Sequence, residues 1–131
     1  MSQHYSEPTS LDEALERYGR EAFLLTTGGT GPHTSTVNVQ LNAHGLQFEV
    51  GDSASKNMRE RPGVSLLWPA ADKNGYNVII NGETTRVAND SRARPYAQVT
   101  ITKAVLHRAG PAPVDHRGPC KSDCLPLAYT T

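Results

Sequence analysis

Four polar residues fall within five positions between two apolar runs: Ser53, Ser55, Lys56 and Asn57, in the stretch GDSASKNMRERPGVSLLWP. Hydroxyls, an amide and an ammonium are donors that suit a phosphate, and the start of a short helix would add its dipole. A plainer use is equally open, since Ser53 or Ser55 can cap a helical turn and Lys56 can stand in solvent. A second set lies upstream in HTSTVNVQL. From Thr34 on, Val37, Val39 and Leu41 share one face of a strand, and Thr34, Thr36, Asn38 and Gln40 share the other. A polar face often meets only water. Small uncharged hydroxyls and amides also suit a flat ligand edge that needs hydrogen bonds and close approach.

Other candidates carry less. TTGGTGPHTS is glycine-rich, but it has neither the Gly-Lys-Ser/Thr ending nor the following helix of a phosphate loop, and reads as a hairpin turn. His107, His116, Cys120 and Cys124 offer four nitrogen and sulfur donors for zinc. The Cys-x3-Cys gap is permitted, whereas the His-x8-His gap is not that of a finger. A disulfide or redox pair, or no chemical role, are the alternatives. No Ser-His-Asp order, nucleophile elbow or HExxH pattern is present, so hydrolase chemistry has no support.

The chain of 131 residues fits one domain and can bury a real core. Its formal net charge is zero, which argues against a nucleic-acid partner. No apolar run of ~18 residues and no basic amphipathic helix point to a membrane. The N-terminal stretch MSQHYSEPTSLDEALERYG lacks the apolar segment of a signal peptide, so the expected location is the cytoplasm.

The elements that must position these residues follow from periodicity. Residues 1–9 read as a mobile arm. Ser10-Leu11-Asp12-Glu13 fits a capping box, and Leu11, Ala14, Leu15 and Tyr18 recur at helical spacing, so a helix spans about 11–19. Strands follow at 22–27, 33–41 and 46–50, joined by tight turns into a meander. One or two helical turns fit 54–61, ended by Pro62, before a strand at 64–68. Strands at 76–80 and 83–88 flank Asn81-Gly82, a hairpin signal. Another strand lies within 96–108, and 109–131 reads as an irregular Pro/Gly/Cys-containing tail. Six or seven short strands with one or two helices predict an all-β barrel, the strands being too closely spaced for crossovers.

Taken together, these stretches resemble the pyridoxamine 5′-phosphate oxidase-like split-barrel family, and most of all its small actinobacterial flavin- and deazaflavin-dependent oxidoreductases. The likeness runs through FLLTTGGTGPHTSTVNVQL, KNMRERPGVSLLWP and YNVIINGETTRV, about residues 20–108. It implies a mainly β chain: an antiparallel split β-barrel of six to seven strands over 10–108, with an N-terminal helix and a short helix between strands. It also implies a homodimer with the cofactor, FMN or the deazaflavin coenzyme F-420, in an interface groove. By position, Ser53, Ser55, Lys56 and Asn57 would meet the cofactor phosphate. His33, Thr34, Ser35, Thr36 and Val37 would line the ring, with Trp68, Pro69 and Tyr76 near the groove. The implied chemistry is hydride transfer to or from a small-molecule substrate, with no catalytic acid named. The likeness departs at the phosphate loop, where Lys56 precedes Arg59 and Arg61 without a second adjacent basic residue, and at the C-terminal side, where no pyridoxal-phosphate residues are found. A non-catalytic cofactor-, haem- or metal-binding split barrel is the alternative.

Overall fold

The computed structural model describes residues 7–111 and 122–129. Helix α1 spans Leu11–Tyr18. Ser10 caps it in extended conformation, its hydroxyl accepting from the Glu13 amide at 3.2 Å. The return half of the capping box is replaced: Glu13 accepts instead from the Thr9 hydroxyl at 3.5 Å. Leu11, Ala14 and Leu15 turn inward.

Strands β1 (Glu21–Gly28), β2 (Gly31–Asn38), β3 (Gln40–Asn42) and β4 (Gly45–Glu49) follow. Helix α2 (Asp52–Glu60) leads into β5 (Gly63–Trp68), β6 (Asn77–Asn89), β7 (Pro95–Pro111) and β8 (Ser122–Pro126). The strands form one antiparallel sheet in the order β2-β1-β5-β6-β7-β4-β3, with β8 paired to β7. The two ends of that order, β2 and β3, are separated in sequence only by Val39. A sheet whose opposite edges are one residue apart must curl until they meet. Val39 is pinned there, its amide donating to Arg20 O at 2.8 Å and its carbonyl accepting from Arg20 Nη1 at 3.2 Å. No ladder joins β2 to β3 or β4, so the barrel is split rather than closed.

The alternation of β1 explains the core: Ala22, Leu24 and Thr26 point in, while Glu21, Phe23, Leu25 and Thr27 point out. Leu24, Leu46, Leu66, Ile80, Val99 and Leu106 are fully buried, each contributing about 1.5–3 kcal/mol relative to exposure. Trp68 plugs one end of the core and donates its indole N–H to Gly19 O at 3.0 Å. No helix among the described residues is long and apolar enough to cross a membrane.

Two expectations fail. Asn81-Gly82 is not a hairpin turn: β6 runs straight through it, with a bulge. Gly82 is needed because β7 passes so close that a Cβ would stand 2.4 Å from Val99 Cγ1 and 2.7 Å from Thr100 O. The reversal comes later, at residues 90–94, where the Asp90 carboxylate accepts from the amides of Arg92 (2.8 Å) and Arg94 (2.9 Å). Those two amides hold the Asp90 carboxyl below its ordinary range. The C-terminal part is not wholly irregular either. Ser122–Pro126 pairs with β7, Leu127 is buried, and Ala128 bonds to Thr9 and Leu11.

Candidate functional site

Helix α2 has two faces. Ala54, Ser55 and Met58 are buried against the barrel. Ser53, Lys56, Asn57 and Glu60, with Arg61 just beyond, recur at three- and four-residue spacing and form one stripe. That stripe faces the β1–β2 turn. Between them lies a cavity of about 550 Å³ lined by Gly28–His33 and the five stripe residues. The helix N-cap is Gly51, and no side chain caps it. Neither serine is therefore used as a cap: Ser53 lines the cavity and Ser55 is buried beneath it.

The walls are held by specific contacts. Asn57 donates its amide to the buried hydroxyl of Thr26 at 3.1 Å. Gly28 lets the two elements approach, since a Cβ there would stand 3.0 Å from Asn57 Oδ1. Three of the four turn residues Gly28–Gly31 are glycine, which leaves that side of the cavity as bare backbone. Arg61 pairs with Glu60 at 3.5 Å, both about half exposed, an arrangement that contributes little. Lys56 has no carboxylate partner among the described residues. The charge balance of the groove is thus positive, two cations against one carboxylate. On β2, His33 Nδ1 at the cavity wall and Ser35 Oγ further along the strand are buried without a hydrogen-bond partner among the described residues, a cost of about 1–3 kcal/mol for each such group.

The other predicted residues lie elsewhere. Thr34 and Thr36 are exposed on the outer face of β2, opposite the side that His33 and Ser35 take. Val37 is in the core. Its edge, with Thr36, reaches a different cavity at the barrel seam, beside Gln47, Glu49 and Tyr96. Trp68 is buried. Pro69 and Tyr76 line a small cavity of about 310 Å³ beside Tyr18. Tyr76 donates to Asp123 Oδ1 at 2.7 Å, while Arg108 pairs with Asp123 and stacks 4.4 Å from the Tyr76 ring centre. Burial, followed by the bond to Asp123, pushes the Tyr76 phenol up to about 12.

Of the four possible zinc ligands, His116 and Cys120 lie outside the described residues. His107 and Cys124 face each other across β7 and β8, but Cys124 is disulfide-bonded, and a bonded sulfur is not a thiolate ligand. Among the described residues no group of three or more His, Cys, Asp or Glu could hold a metal. The sequence reading missed Gly28–Pro32 as a wall of the groove beside α2, Thr26 as the anchor of Asn57, and Glu60 and Arg61 as the far end of the stripe. The 53-56/57-60/61 spacing was the available signal.

The fold is the split barrel of the pyridoxamine 5′-phosphate oxidase-like proteins. A candidate pyridoxamine 5′-phosphate oxidase of Listeria innocua superposes with a TM-score of 0.60 at 14% identity, over 72% of this chain and 95% of that one. An F-420 reductase gives 0.58 at 14%, over 70% and 94%. The haem storage protein of Vibrio cholerae gives 0.57 at 10%, over 72% and 92%. In sequence the chain is similar to uncharacterized proteins of Mycobacterium bovis and Mycobacterium tuberculosis, 33% identical over 106 residues. That match covers 77% of this chain and spans 66% of the length of those relatives. No family model matches the chain.

Proposed function

We propose that the groove between α2 and the β1–β2 turn holds the phosphate of a flavin or deazaflavin, FMN or coenzyme F-420. The chain is then a cytoplasmic oxidoreductase that transfers hydride between that cofactor and a small organic substrate. The observation that carries this reading is Lys56, an ammonium without a carboxylate partner among the described residues, in a groove walled by glycine backbone. The donor set fits the group: Lys56 and Arg61 supply charge, Ser53 a hydroxyl, and the bare turn allows phosphate oxygens to come close. Asn57, fixed by Thr26, keeps helix and turn at their distance. The cofactor supplies the redox chemistry; these residues bind and orient it. A ring extending from this groove would need a second wall, because Thr34 and Thr36 face outward. A second copy of the chain, lying over the outer face of β1 and β2, would provide it and keep water from the ring.

Fluorescence titration of cofactor-free protein with FMN, and separately with F-420, tests the reading. Micromolar binding of one, weakened about tenfold in Lys56→Ala (about 1.4 kcal/mol), is expected. Binding of neither, or indifference to Lys56→Ala, rejects the cradle. Haem run in parallel separates a haem carrier from a redox enzyme.

A further inference from the structure

The gap in the barrel is lined by hydrogen-bonding groups that the chain leaves unpaired among the described residues. Val39 donates its amide to Arg20 O. That bond continues the alternation of β2 positions bonded to β1: Val37 opposite Ala22, Ser35 opposite Leu24, His33 opposite Thr26. Pro32, which has no N–H, falls between such positions. The main-chain N–H and C=O groups of Thr34, Thr36 and Asn38 therefore point away from β1, toward β4. No strand pairs with that edge, and no main-chain bond reaches it among the described residues. Sheet edges are ordinarily covered or blocked. This one stands on the wall of a cavity of about 840 Å³, with Thr36 and Asn38 in its lining.

Across the cavity stand Gln47 and Glu49 of β4 and Tyr96 of β7, with Glu49 and Tyr96 directly opposite each other in register. An amide network fixes Gln47. Its Oε1 accepts from Asn42 Nδ2 at 3.2 Å, and Asn42 exchanges two bonds with Gln98, at 2.9 and 3.2 Å. The Gln47 NH2 group and the Tyr96 hydroxyl have no hydrogen-bond partner among the described residues. No ammonium or guanidinium lines the cavity. Its two carboxylates are already compensated. Arg94 pairs with Glu49 at 3.2 Å and with Asp90 at 3.5 Å, and Asp90 also accepts from the amides of Arg92 and Arg94. An anion finds no countercharge here, and a cation finds no free carboxylate. What remains is a set of neutral hydroxyls and amides, which both donate and accept, around the half-buried ring of Tyr96. The groove beside α2, with Lys56 and Arg61, has the opposite character.

We propose that this seam cavity binds an uncharged polyhydroxylated molecule of mono- or disaccharide size. Each ligand hydroxyl is both donor and acceptor, which matches the free main-chain edge, Asn38 and Gln47, and the C–H face of a sugar ring lies on Tyr96. Bound there, the ligand bridges β2 to β4 where no ladder does. The site is independent of the reading of the other groove as a phosphate cradle, and it excludes phosphorylated and carboxylated sugars.

Amide NMR spectra of the isotope-labelled full chain, titrated with D-glucose, maltose and myo-inositol, test the proposal. At least one of the three should shift the amides of Thr36, Asn38, Gln47 and Tyr96 together, with a dissociation constant of about 1 mM or tighter. Hydrogen exchange at the Thr34 and Thr36 amides should slow by about tenfold or more in its presence. Glucose 6-phosphate should leave those amides where they are. Asn38→Ala and Gln47→Leu change outer-face residues on opposite sides of the gap, and each should weaken binding by about tenfold. The dispersion of the same spectra monitors the fold of each variant. The proposal is overturned if none of the three shifts these amides at about 50 mM, far above the expected dissociation constant. It is also overturned if glucose 6-phosphate binds there as tightly, or if binding survives both substitutions unchanged. None of these outcomes bears on whether Lys56 holds a phosphate, which the titration above reads separately.

Discussion

Gly28→Ala probes how the groove keeps its width. The added methyl would stand 3.0 Å from Asn57 Oδ1, 3.3 Å from its Nδ2 and 3.2 Å from Gly31 O. Ordinary contact starts near 3.4 Å, so the Asn57 side chain must retreat by about 0.4 Å. It is held by its 3.1 Å bond to the hydroxyl of Thr26, a residue only 3% exposed. Losing that bond strands a buried polar group, at about 1–3 kcal/mol. The backbone of Gly28 is outside the left-handed region. Alanine therefore fits its conformation, and the less flexible unfolded chain returns about 0.4–1 kcal/mol. The net expectation is a loss of about 1 kcal/mol. Asn57→Ala removes the same bond directly and should cost about 1–3 kcal/mol. In the double variant the methyl meets no amide, and the remaining 3.2 Å contact with Gly31 O is offset by the less flexible unfolded chain, so the second change adds little. Urea unfolding of the four proteins gives the coupling energy, expected at about 1 kcal/mol or more. If the two single costs simply add, within about 0.5 kcal/mol, Asn57 does not limit the approach of turn and helix, and the argument for this wall is wrong.

Two further outcomes follow from the fold. Gly82→Ala should lower the urea midpoint by the equivalent of about 1–3 kcal/mol or more, since the methyl would drive into Val99 and the Thr100 carbonyl; an unaffected midpoint would mean that the bulge is not there. Tyr76 carries a stabilising contribution that depends on pH. Its folded value of about 12 lies above the ordinary 10, so the contribution is complete below about pH 10 and is lost as pH rises toward 12. Urea midpoints measured from about pH 9 to pH 12 should fall more steeply for wild type than for Tyr76→Phe, and parallel curves would refute the assignment.

Much of this architecture was legible because local chemistry and global fold agree. Ser10 caps the first helix as its spacing requires, and the turn at Gly28–Gly31 is the hairpin its glycines announce. The polar cluster at 53–57 also lies on a helix beside that turn. What was illegible depended on partners distant in sequence. Asn81-Gly82 has the composition of a turn, but the glycine answers to the close passage of β7, a neighbour some twenty residues on. Strand β8 has no period of its own and is defined by the edge of β7 that it joins. Within the site, a single strand cannot turn five consecutive side chains toward one ligand. His33 and Ser35 therefore part from Thr34 and Thr36, a division that alternation alone supplies once the inner face is known.

The one-residue link at Val39 has a mechanical consequence. Everywhere else around the barrel, separating two strands breaks a run of backbone hydrogen bonds. Between β2 and β4 no such ladder exists among the described residues, and the two bonds of Val39 go to Arg20, on the β1 side of β2, not across the gap. The softest deformation of the barrel is thus a widening of this gap with Val39 as its fixed end, like a clasp opening about its pin. Because β2 is at once one lip of the gap and one wall of the groove, that widening moves His33 and Ser35 relative to Lys56 while the rest of the sheet stays rigid.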